Sequence, residues 1–253
     1  MDLFSFRSPR VFAATVMQLV VSAAVVTPAF SQQLNTPDVV GISLGQTADA
    51  VEAALRAHEP KLQINKIYWR GSDKKPSQAV AKIIAGTAGY PMDSGSMNWA
   101  RPESLAIYFT QTDSRVMGVY RFVNTGNQGV LAADLNQALS AKYGTMTSTQ
   151  IGIGYLSMRG LDAQGQAAHP RCVTSGFDWM IPPREFAAGC GQSIRVEFQD
   201  PIAPGVFRGY RTWLFDNQRA AADAAASQTE ANALRDQANR KAVESAKTQK
   251  QAI

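Results

Sequence analysis

Histidine and cysteine are nearly absent: 253 residues hold only His58, His169, Cys172 and Cys190 of these types. The usual signatures of metal sites and nucleophilic catalysis go with them. Neither histidine stands at a ligand interval from a cysteine, and the cysteines are not C-x-x-C. Charge is also sparse. Only 18% of residues are Asp, Glu, Lys or Arg, and the basic ones are dispersed, so a surface that tracks nucleic-acid phosphates is not indicated. No apolar run after residue 31 approaches the roughly 20 residues that cross a bilayer. From Asp216 to Ile253 there is no glycine, proline or aromatic residue.

What is present begins with an export signal. Arg7 and Arg10 form a basic start, and Val11 to Val26 then runs without a charge. Pro28 interrupts the run, and Ala29-Phe30-Ser31 places small residues three before and one before a cut at Gln32, as signal peptidase requires. The alternative, an uncleaved anchor, meets an apolar run too short to span comfortably. No cysteine lies near the cut, against a lipid anchor, and no paired arginine points to a twin-arginine route. Residues 1–31 are therefore expected to leave a periplasmic or secreted protein. Losing Arg7, Arg10 and Asp2 reduces 25 basic and 20 acidic residues to 23 and 19, a mature charge of +4. In an oxidising compartment the pair Cys172 and Cys190 is most simply a disulfide. The Pro- and Gly-rich loop it closes would contribute ~3 kcal/mol through lost chain entropy.

The mature chain reads as a plan used twice. Ala54-Leu55-Arg56-Ala57 answers to Ala138-Leu139-Ser140-Ala141, Arg70-Gly71 to Arg159-Gly160, Phe109 to Phe198, and Val116, Tyr120 and Arg121 to Val206, Tyr210 and Arg211. Chance matching of short apolar strings is the competing explanation. Each half opens on a helical pattern. In the first, Val51, Ala54, Leu55 and His58 share a face, with Thr47 as cap and Pro60 as stop; in the second, Leu131, Leu135, Ala138, Leu139 and Lys142 do so, with Gly144 as stop.

Alternating segments follow each helix. Leu105, Ile107 and Phe109 lead through a polar turn to Val116–Val123, and Ile194, Val196 and Phe198 lead through Asp200-Pro201 and Pro204-Gly205 to Val206–Phe215. Upstream strands are expected over Leu62–Arg70 and Ile151–Arg159, while Ala79–Ala85 fits helix or strand equally. The expected class is α+β: two tandem helix-on-antiparallel-sheet halves, residues 32–125 and 126–215, then a long C-terminal α-helix over 216–253. In that helix Ala224, Ser227, Ala231, Leu234 and Ala238 form a thin seam, read as a solvated helix or as a device for self-association.

The stretch Ile42-Ser43-Leu44-Gly45-Gln46-Thr47-Ala48-Asp49-Ala50-Val51, with Leu55 a turn later, resembles the helix start of exported bacterial modules. These are the beta-lactamase-inhibitor-protein-like repeats and the small outer-membrane lipoproteins of the SmpA/OmlA type. Gly45 would permit the tight turn into the helix, Thr47 would cap it, and Val51 and Leu55 would face the sheet. Gln46 stands where those modules carry Met, the lipid-bearing cysteine is missing, and the second half does not repeat the motif. The resemblance implies two helix-on-sheet modules that present a sheet surface to a partner protein, without catalysis.

Tyr68-Trp69-Arg70 and Trp99-Ala100-Arg101 combine rings with guanidinium groups, residue types enriched at protein-binding hot spots. Tyr68, Trp69, Arg70, Trp99 and Arg101 are thus the candidate partner-contacting residues, and Trp213 is a candidate core residue. The expected function is a non-catalytic binding or envelope-accessory protein with a protein partner in the cell envelope and no cofactor or metal. The alternative is an envelope-glycan hydrolase with a carboxylate pair drawn from Asp93, Glu103, Asp178 and Glu185. The export reading is checked by N-terminal sequencing of protein recovered from an exporting host. Gln32 is the expected first residue, and a chain still starting at Met1 would refute cleavage.

Overall fold

A computed structural model describes residues 37–70, 76–89, 101–151, 154–162, 164, 166, 172 and 189–251. Helix α1 (Ala48–His58) starts as its residues dictate: the Thr47 side chain accepts from the Ala50 N–H, and Gly45 takes φ +83° in the turn before it. Val51 and Leu55, one turn apart, are fully buried. Ahead of the helix, β1 (Asp38–Val39) and β2 (Ile42–Ser43) form a tight hairpin whose Val39 and Ile42 join the same core.

Four antiparallel strands follow α1: β3 (Gln63–Arg70), β4 (Pro76–Gly86), β5 (Glu103–Phe109) and β6 (Val116–Asn124). After a 3-10 turn at Gly126–Gln128 and a short strand β7 (Val130–Leu131) comes α2 (Ala132–Tyr143), then β8 (Thr147–Ile151), β9 (Gly154–Asp162), β10 (Cys190–Ala203) and β11 (Val206–Asp216). The sheet order is β3-β4-β5-β6-β11-β10-β9-β8, with β7 beside β11. Each run of four strands follows a helix, and the two runs meet at their last strands. The undecided stretch Ala79–Ala85 is strand, inside β4. The single strand expected over Ile151–Arg159 is instead the end of β8 and the start of β9.

Not every expected equivalence between halves survives. Arg70 ends the first strand of its run, whereas Arg159 lies in the second strand of the other. Tyr120 belongs to the core on one face of the sheet, while Tyr210 packs on the other. The burial of α2 is also rotated from the expected face. Ala132, Leu139 and Tyr143 are buried, and Leu131, Ala138 and Lys142 are exposed. Leu131 is drawn out of the helix by pairing with Val206 as part of β7.

Both faces of the central strands are covered, so the alternation in β5 does not separate core from solvent: Ala106 and Tyr108 are as buried as Leu105 and Ile107. One face carries α1, α2 and the β1–β2 hairpin, with Val51, Leu55, Leu139, Ile107, Val119, Ile194 and Leu214 in one cluster. The opposite face holds Tyr108, Tyr120, Phe122, Trp213 and Phe215 against Ala220 of helix α3 (Asn217–Gln251). Trp213 is a core residue, as expected, in edge contact with Tyr120 at 5.4 Å between ring centres.

Helix α3 docks through its first turns by polar contacts. Asp216 accepts from the Arg219 N–H, and the Asp223 carboxylate accepts from the Gln111 and Thr112 N–H groups at 3.0 and 2.9 Å. Arg219 pairs with Asp113 at 2.9 Å. The Cys172–Cys190 disulfide is formed, with 5.2 Å between Cα atoms. Buried Asn217 ties it to the helix start, donating to the Gly191 carbonyl at 2.7 Å. Residues 228–246 are exposed throughout. Truncation after Gln228 should change unfolding free energy by less than about 0.5 kcal/mol, the usual range for surface changes. Denaturant titration checks this, and a loss of several-fold more would mean the distal helix is docked.

Candidate functional site

Two places gather the candidate residues. The first is the outer strand β3, which among the described residues pairs with β4 alone and has no strand neighbour on its other side. β3 ends in the expected Tyr68-Trp69-Arg70. Tyr68 stands opposite Val80 and is 42% exposed, and Ile67, opposite Lys82, is 37% exposed. Irregular register on both sides of Tyr68 twists this end of the strand. Trp69 is partly buried, and its indole N–H is enclosed without an acceptor among the described residues. Lys66 in the middle of the strand is held by Glu52 of α1 at 2.7 Å. That bond keeps the carboxyl below and the ammonium above their ordinary pKa values. Of the other expected contact residues, Trp99 lies outside the described residues. Arg101 is 3% exposed, with its side chain laid against Gly86, and so sits inside the protein rather than on a contact surface.

The second place is an ionic cluster on the helix-bearing face. His58 in the last turn of α1 meets the Glu103 carboxylate of β5 at 2.9 Å, and Arg121 of β6 donates to it at 2.6 Å. The sequence pointed to Glu103 only as one of four carboxylates and to His58 only as a helix-end residue. Their meeting needs strand pairing. Both Glu103 oxygens lie within hydrogen-bond distance of His58, and one also accepts from Arg121, an arrangement that ties α1 to the sheet. Asp93, Asp178 and Glu185, and also His169, lie outside the described residues. Among the described residues there is no cluster of three metal-ligating side chains.

Beyond this cluster Tyr143 of α2 donates to the Asp38 carbonyl at 2.5 Å, joining the helix to the β1–β2 hairpin. Burial, with Asp38 next in effect, pushes its phenol well above its ordinary value of 10, and Arg121 offsets part of the rise. No helix among the described residues is long and apolar enough to cross a membrane. Comparison with protein-family models, curated proteins and solved structures found no match to this chain.

The Tyr143 shift has a sign. Below pH 10 both folded and unfolded chains keep the phenol proton; above it only the folded chain does, so stability falls as pH rises. Tyr143→Phe should cost ~1 kcal/mol near neutrality for the lost hydrogen bond. It should also show a shallower loss of stability between about pH 9 and about pH 11 than the unsubstituted protein. Equal slopes in urea titrations at these pH values would refute this account.

Proposed function

We propose that this is an exported, non-catalytic binding or envelope-accessory protein that takes an extended segment of a partner protein onto the free edge of β3. The observation that carries the reading is the edge itself: an eight-residue outer strand ending in exposed Ile67 and Tyr68, with Trp69 and Arg70 next to them. A strand added there gains main-chain hydrogen bonds from an edge that no described residue pairs, and the side chains supply specificity. The opposite outer strand, β8, is shorter and offers Thr147, Ser148 and Thr149 to solvent. Engagement of Glu103 by His58 and Arg121 favours this reading over glycan hydrolysis, which needs a carboxylate free to act on water or the leaving oxygen. The N-terminal signal pattern supports an envelope location.

The test places a photocrosslinking amino acid at Ile67, at Tyr68 or at Thr149 in protein exported by intact cells. One abundant envelope protein crosslinked from Ile67 and Tyr68, absent from Thr149, and reduced about tenfold when the other β3 residue is changed to Glu, is the expected result. Equal yields from both edges, or none from β3, would overturn it. Self-association along α3 is a second reading, favoured by exposure of Leu234 and Val243 on the distal part of the helix. Sedimentation of the full chain against the chain ending at Gln228 decides it: one monomer mass for both forms would sink the idea.

A further inference from the structure

The β10–β11 hairpin outruns the sheet that supports it. Among the described residues the last β10 residue paired to β9 is Glu197 and the first β11 residue paired to β6 is Gly209, so the tip has only short β7 beside it. Its backbone is strained. Asp200 takes a left-handed φ of +59° directly before Pro201, although a residue with a side chain disfavours that region and a following proline favours extended backbone. The ladder then breaks between Pro201 and Ala203, leaving Ile202 as the bulged residue. Gly129, at φ +69°, makes room for it: a Cβ there would come within 2.7 Å of Val206 Cγ1 and 3.2 Å of Ile202 Cδ1. Such strain persists only where surrounding structure imposes it, and here it seats Ile202 over Gly129, two residues before Leu131.

The result is an apolar end. Pro201, Ile202, Ala203 and Pro204 are all exposed, and Leu131, paired to Val206, is 50% exposed. No charged residue occurs in 201–207 or in 125–133. The charges that border these stretches are Asp200, Arg208 and Asp134, two acidic against one basic. The exposed side chains present on the order of 300 Å² of apolar surface, the size of patch that marks a protein or membrane contact. Main-chain groups offer no strand site here, in contrast to β3. The prolines lack N–H groups, the Gly205 carbonyl accepts from Ala132 at 2.9 Å, and Val206 and Phe207 pair with β7. A projecting apolar end with its peptide groups so engaged suits lipid, where unmet peptide groups are costly and no complementary shape is required. A protein would have to supply a matching cleft.

We infer that the β10–β11 tip, with Ile202 and Leu131 at its centre, inserts reversibly into the surface layer of a lipid bilayer. Apolar burial drives the insertion, since the charges beside the tip give no preference for anionic headgroups. A surface of this size holds a protein at about millimolar lipid, comparable with one acyl chain. None of these residues lies on β3, so the inference stands apart from partner binding there. The test sediments the mature full-length protein with sucrose-loaded vesicles of phosphatidylcholine, alone or mixed with phosphatidylglycerol. Binding to phosphatidylcholine alone, not weakened by high salt, is the expected result. Ile202→Asp should weaken it about tenfold or more. Ile202→Trp, which adds a ring that favours the membrane interface, should strengthen it several-fold with unchanged thermal unfolding. Tyr68→Glu on β3 should leave it unaltered. Binding confined to the anionic mixture and lost in salt, no binding to either vesicle at millimolar lipid, or equal binding by Ile202→Asp and Ile202→Trp would overturn the inference. A dimer that Ile202→Asp dissociates, without vesicle binding, would assign the tip to a second copy of the chain instead.

Discussion

The pairing of β6 with β11 holds the architecture together. Gly209 to Phe215 run antiparallel to Asn124 to Gly118, joining two four-stranded runs into one continuous sheet. Both apolar cores depend on that joint. It places Tyr120 beside Trp213 on one face and Val119 beside Leu214 on the other, so each run contributes to both cores. It also brings Arg121 between the two helices, near enough to Tyr143 to moderate its rise in pKa. Without the joint, each run would be a small sheet with one helix, too little surface to bury a core well.

Around that sheet, polar contacts decide where helices go. Asp223, Arg219 and Asn217 bind α3 to the β5–β6 turn and to the disulfide-bearing segment, and among the described residues Ala220 is the helix's one member of the apolar cluster. Tyr143 and Lys142 bind α2 to the β1–β2 hairpin through Asp38, whose side chain also closes the hairpin turn by accepting from Gly41. Such contacts add modest energy individually, but a buried donor or acceptor left unmet costs more than the pair contributes. They therefore select one arrangement among several that would bury similar apolar area.

The proposed partner site rests on one physical feature of β3: an edge with no strand neighbour among the described residues and with aromatic and aliphatic side chains next to it, a liability that Lys66 and the irregular register near Tyr68 limit without removing.

Local signals in the sequence determined what local chemistry can determine. Thr47, Gly45, Val51 and Leu55 specified the start and buried face of α1, because a cap, a left-handed turn and a 3.6-residue period act over a few residues. The disulfide followed from two cysteines in a chain that reads as exported, the long C-terminal helix from 38 residues without a helix breaker, and the Tyr68-Trp69-Arg70 segment was legible as a strand. The tertiary structure alone decided the rest: that Arg101 is buried while Tyr68 is not, that α2 turns Tyr143 inward, that His58 meets Glu103, and that Arg159 lies against Gly144. Each depends on residues brought together across strands and helix ends, from about 15 positions apart at Gly144 and Arg159 to more than 100 at Asp38 and Tyr143. Periodicity fixes which residues share a face of one element, and only pairing between elements determines what that face meets.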